Sequence, residues 1–168
     1  CGDGLPYHVF LSQKDPTLLD FHFMGGGACW DAVTCWSPGA AATWIHPIPY
    51  PIEPGGITSN SIKDSPLANH TMVHFPYCTG DVHLGRHLAT YQKGIKVFHT
   101  GRTNVERAVE YLVEQGMIAP NRARQAVVSG YSAGALGALV HLKTIDPYLS
   151  RSTDRVLIAD APGLHFGS

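Results

Sequence analysis

A strong charge of either sign is missing from this chain: 12 Lys and Arg stand against 13 Asp and Glu among 168 residues, a formal net charge of −1. With no basic cluster along the sequence there is no electrostatic footprint for nucleic acid or for an anionic membrane surface, and neither is expected as a partner. Long apolar runs are missing too. None approaches the roughly 20 residues that cross a bilayer, so a soluble chain is expected. Charged residues make up only 15% against 44% hydrophobic, an ordinary globular balance that excludes a disordered chain. Internal repeats and low-complexity tracts are absent. Ahead of Cys1 there is neither an initiator Met nor a charged and apolar leader, which fits a removed signal peptide or a start inside a longer chain.

Cysteine is sparse, with four residues that allow three complete pairings. Cys29 and Cys35 flank a short loop and can close it locally, which leaves Cys1 and Cys78 for each other. Chain entropy favours the long closure by about 4.5 kcal/mol and the short one by about 2.5 kcal/mol. Pairing of this kind points to a secreted or periplasmic protein. Buried thiols, or a lipid anchor on Cys1, are the alternatives.

What the sequence does contain is an alternation of strand and helix patterns. Leu18 to Met24, Thr71 to Phe75, Ile95 to His99, Gln125 to Ser129 and Arg155 to Ala159 read as strands. From Asn104 to Gly116, the residues Val105, Ala108, Val109, Leu112 and Val113 form one stripe of an amphipathic helix that Gly116 stops. A second helix is predicted from Ala133 to Ile145, ahead of Pro147. The order implies an α/β fold with a mostly parallel sheet and helices on both faces. The stretch from Ser37 to Ser65, with Trp44 and Tyr50, reads as a long loop over the active face or as an excursion without a role.

Gly130, Tyr131, Ser132, Ala133 and Gly134 spell Gly-x-Ser-x-Gly between a β-branched strand and an Ala/Leu-rich helix. That is the context of a nucleophile elbow, in which glycines two before and two after the serine let a strained backbone lift its hydroxyl clear. A serine alcohol attacks an ester only with a base, an acid to orient that base and N–H donors for the oxyanion. Gly25, Gly26 and Gly27 follow a predicted strand, and the amides of Gly26, Gly27 and Ala133 are the candidate donors. Asp160, at the end of an apolar strand and after Ser132 in sequence, is the candidate acid. The bland alternatives are a glycine turn with an idle serine and an Asp that caps a turn.

The segments "CGDGLPYHVF", "GGGACW", "FPYCTGDVHLG", "GYSAGALGAL" and "IADAPGLHF" resemble, in that order, the pectin acetylesterase and Notum family of ester hydrolases. The resemblance implies a secreted serine esterase with a Ser-Asp-His triad, an α/β-hydrolase-like fold and no cofactor or metal. Ser132 would be the nucleophile, Asp160 the acid, and Gly26, Gly27 and Ala133 the oxyanion donors. It also implies disulfides between Cys1 and Cys78 and between Cys29 and Cys35. Two departures stand out. Gly27 and Ala28 lie where the family usually carries a bulky aromatic beside the cysteine, which bears on pocket shape. The family's base lies tens of residues after the acid, whereas His165 follows Asp160 by only five, so the base is expected beyond Ser168. The 168 residues would then be one domain, the N-terminal part of a longer catalytic unit.

The expected substrate is a small acyl ester, acetyl on a polysaccharide by family analogy. A binding protein that keeps the fold without the base is one alternative, and an esterase of lipid or polyester acyl chains is another. His83 and His87 have the i, i+4 spacing of a helical metal pair, but Gly85 lies between them and loop or surface histidines are the better reading. His22 reads as a satisfied core residue. Asp81 either lines the pocket or holds a loop, and Asn69 to Thr71 fits a glycosylation acceptor.

Overall fold

The computed structural model describes residues 1–37, 45–49 and 55–162. Trp44, Tyr50 and His165 lie outside the described residues. The fold opens with β1 (Phe10–Ser12) and β2 (Asp15–Phe23), followed by a one-turn helix, α1 (Ala32–Trp36). Next come β3 (His70–Phe75), β4 (His87–Thr90), β5 (Lys96–His99) and α2 (Gly101–Glu114). The chain then passes through β6 (Gln125–Tyr131), α3 (Ala133–Ile145) and β7 (Asp154–Asp160).

One sheet has the order β1-β3-β2-β6-β7, in which the last four strands are parallel and edge strand β1 is antiparallel. The mostly parallel α/β sheet is therefore as the sequence pattern implies. The strand near residues 95–99 forms, but it pairs antiparallel with β4 in a separate ribbon. Lys93 and Gly94 adopt left-handed φ values of 60° and 72°, and Tyr91 N–H donates to Ile95 O at 2.8 Å, so a tight turn returns the chain on itself. An exposed Lys96 would also be out of place in a strand covered on both faces.

Alternation along β2 sorts the two faces of the main sheet. Leu19, Phe21 and Phe23 share one core with Val73, Phe75 and Val128, with Val105, Val109 and Leu112 of α2, and with Ala138 and Ile145 of α3. Full burial of each large apolar side chain is worth about 1.5 to 3 kcal/mol. Both long helices thus lie on one face among the described residues, half of the two-sided cover expected. Gly116, at φ 67°, ends α2 by letting Met117 N–H reach back to Leu112 O at 2.9 Å.

The opposite face carries a buried polar row. The Ser129 hydroxyl donates to Asp20 Oδ1 at 2.8 Å and accepts from His22 Nδ1–H at 2.8 Å, and the His22 ring stacks on His74 with centroids 5.4 Å apart. Burial pushes the Asp20 carboxyl up to about 7, and pushes His22 and His74 down to about 3 and about 4. All three are therefore held toward their neutral forms.

Candidate active site

The elbow forms where β6 meets α3. Ser132 caps the helix with φ 52° and ψ −123°, a left-handed conformation that costs a non-glycine residue about 1 to 3 kcal/mol. Crowding explains the flanking glycines. A Cβ on Gly130 would stand 2.6 Å from the Gly134 carbonyl carbon, and one on Gly134 would stand 2.7 Å from that of Phe23. Ser132 is exposed, and its hydroxyl makes no hydrogen bond among the described residues. Its N–H donates to Asp160 O at 2.8 Å, which ties the elbow to the end of β7.

The glycine loop runs beside it. A Cβ on Gly25 would stand 2.6 Å from Tyr131 O, so loop and elbow touch through bare backbone. Gly27 sits at φ 73°, where other residues are strained. The amides of Gly26 and Gly27 donate to no group among the described residues. Ala133 occupies the first helical position, whose N–H has no acceptor within the helix. Asp160 is exposed at the carboxyl end of β7, in register with Tyr131. Ser132, the glycine loop and Asp160 are thereby gathered at the carboxyl ends of β2, β6 and β7, where open α/β sheets hold their ligands.

No imidazole among the described residues hydrogen-bonds Ser132 or Asp160. His22 is a core residue whose Nδ1 bonds to Ser129, as its strand position implied, but it is only half satisfied, because its buried Nε2 has no partner among the described residues. His87 is exposed on β4, and His83 lies on a turn, not a helix, in keeping with the loop reading, though it is buried at 1% exposure. Its ring donates from Nε2–H to Met24 O at 2.9 Å, and burial lowers its pKa to about 4, so it stays neutral. Asp81 is settled as a loop holder. Its Oδ1 accepts from Thr79 Oγ1 at 2.6 Å and from His83 N–H at 3.1 Å; its Oδ2 accepts from Gly85 N–H at 3.0 Å and Gly101 N–H at 2.7 Å.

The disulfides join Cys1 to Cys78 and Cys29 to Cys35. Cys29, Cys35 and His99 lie close enough together for a metal ion. The disulfide leaves no thiolate there, and His99 already donates from Nδ1–H to Thr79 O and accepts from Tyr91 OH at Nε2, both at 2.7 Å. Behind the elbow, Ile48 packs with Met24, Tyr77 and Ala133, so part of the long loop tract braces this site.

The family model of pectinacetylesterase matches residues 1–166, a span that includes the elbow, the glycine loop and both disulfides. The chain belongs to the pectinacetylesterase family. It is 27% identical over 162 residues to pectin acetylesterase 5 of Arabidopsis thaliana, covering 94% of this chain and 36% of that protein. Against pectin acetylesterase 4 of the same plant the identity is 26% over 170 residues, covering 95% of this chain and 40% of the relative. The chain thus spans about two fifths of the length of these pectinacetylesterase relatives. Its fold is similar to that of the Wnt deacylase Notum from Drosophila, with a TM-score of 0.74 at 21% identity across 95% of this chain and 48% of that one.

Proposed function

We propose that this chain carries the nucleophile, the acid and the oxyanion donors of a serine carboxylester hydrolase, within one α/β-hydrolase-like domain. Ser132 Oγ attacks the acyl carbonyl carbon while a histidine outside the described residues takes its proton. The carbonyl oxygen becomes an alkoxide that the amides of Gly26, Gly27 and Ala133 stabilise, at about 3 to 4 kcal/mol per donor. Collapse expels the alcohol, which the histidine protonates, and water then releases the acid from the acyl-serine. Asp160 holds the histidine in the tautomer that accepts at its free nitrogen.

The observation that carries this reading is the exposed, left-handed Ser132 next to glycine amides that have no acceptor among the described residues. Acetyl on a polysaccharide is the substrate that family membership supports, and the two disulfides fit a secreted enzyme. Among the described residues no helix is long and apolar enough to cross a membrane. A fluorophosphonate probe is expected to label the full-length protein at Ser132, with the label lost in Ser132→Ala. An unlabelled wild-type protein sinks the proposal in favour of a binding protein. Nitrophenyl esters of increasing acyl length then separate an acetylesterase from an enzyme for longer chains, since only the first loses activity beyond two carbons.

A further inference from the structure

The turn from Gly80 to His83 carries backbone strain. Val82 and His83 are consecutive left-handed residues, at φ 51° and 63°, and for a β-branched residue that is a true outlier. Strain of this size persists only where neighbours over-determine it. The four hydrogen bonds of the Asp81 carboxylate do so, and Val82 N–H adds a fifth, to Tyr77 OH at 2.8 Å. Glycine makes the room. A Cβ on Gly101 would lie 2.7 Å from His83 Cα, and one on Gly137 of α3 would lie 2.9 Å from His83 Cδ2.

What the strained turn holds is the glycine loop, at both ends. His83 Nε2–H donates to Met24 O at 2.9 Å, immediately before Gly25. Cys29 N–H donates to Gly80 O at 2.8 Å, immediately after Ala28. The same turn is tied to the helix that starts at the nucleophile, because His141 Nε2–H of α3 donates to His83 O at 2.8 Å. Phe23, the residue whose carbonyl carbon crowds Gly134, meets the His83 ring edge-on at 5.3 Å.

We propose that His83 is a positioning residue, which fixes the peptide between Met24 and Gly25 and so aims the glycine loop at the carbonyl attacked by Ser132. The proposal rests on the serine esterase reading given above. A ring buried in contact with Phe23, Tyr77 and Gly137 stays neutral, and its one proton must sit on Nε2 because a carbonyl can only accept. The loop has no other hydrogen bond from a side chain among the described residues, so this one sets the direction of its first peptide.

The test uses the full-length protein. His83→Phe keeps an aromatic ring and removes the donor; kcat on nitrophenyl acetate should fall about 30- to 100-fold with KM unchanged, as expected of a displaced catalytic loop. Affinity for a boronic-acid transition-state analogue should fall by the same factor. His83→Gln, whose amide N–H can reach the same carbonyl, should recover about tenfold of that loss. Gly137→Ala crowds the imidazole without changing it and should lower kcat in the same KM-independent way. A folded His83→Phe or Gly137→Ala enzyme with kcat within about twofold of wild type overturns the proposal, as does equal loss in the Phe and Gln variants. Fluorophosphonate labelling of the wild-type protein is read separately. If that label is missing the esterase reading itself fails, and if it is present the kinetic result bears on His83 alone.

Discussion

Gly134→Ala is the sharpest test of how the elbow is built. The added Cβ would stand 2.7 Å from the Phe23 carbonyl carbon and 2.8 Å from that of Met24. Carbon atoms prefer about 3.5 to 4.0 Å, so the gap must open by roughly 0.7 to 1.3 Å, and both obstacles are backbone. Overpacking of this kind costs about 3 kcal/mol at the upper end of its usual range, and the better helix propensity of Ala returns about 1 kcal/mol. The net loss is about 2 kcal/mol, a fall in Tm of roughly 4 to 8 °C for a protein of this size. Activity should suffer more. The strand end pushed away from α3 leads directly into the glycine loop, and a 1 Å misplacement of catalytic groups costs on the order of a hundredfold in rate. Calorimetry and nitrophenyl acetate kinetics measure the two effects on one preparation. Gly55→Ala is the control, because its Cβ meets nothing within 4 Å and its φ is −89°; it should leave both quantities unchanged. A Gly134→Ala protein with wild-type Tm and wild-type kcat would refute the crowding argument.

The two disulfides should differ in what they contribute. Loss of the Cys1–Cys78 bridge, with a sequence separation of 77, should destabilise by about 4.5 kcal/mol, and loss of Cys29–Cys35, with a separation of 6, by about 2.5 kcal/mol. Paired Cys→Ser variants compared in urea check the order, and a larger loss at the short loop would contradict it. The buried polar row predicts acid sensitivity. His74 is buried with both ring nitrogens unpartnered among the described residues, and its folded pKa of about 4 lies below its ordinary value. The unfolded chain therefore binds a proton that the folded state refuses as pH falls from about 6.5 towards 4, and stability is lost across that window. His22 acts in the same direction, whereas Asp20, held up at about 7, opposes them by losing stability as pH rises from about 4 to 7. His74→Phe should be at least as stable as wild type at pH 7 and should lose about 2 kcal/mol less between pH 7 and 4.5. Urea midpoints at both pH values measure this, and an unchanged pH slope in the variant would exclude His74 as a source.

The His83 turn shows how one site combines local and distant causes. Ser132 and the glycine loop were recognisable because strained or crowded backbone demands glycine at fixed offsets, and fixed offsets are visible in one dimension. His83 was not. Its partner, Met24, lies 59 residues away, and in the sequence nothing beyond a surface or loop place could be assigned to it. Asp81 was recognised as either a pocket or a loop residue, and only the four donors that surround it decided between them.

By itself the sequence determined the strands β2 and β6, the stripe of α2, the span of α3 from Ala133 to Ile145 and the elbow between β6 and α3. Each of these depends on side-chain period or backbone freedom within about a dozen residues. Tertiary structure decided that residues 96–99 leave the main sheet for a ribbon, that both long helices share one face, and that Asp20, Ser129 and His22 bond to one another across 107 to 109 residues of chain. Which partner a buried polar atom meets is decided by chain crossings in space, for which local spacing holds no record.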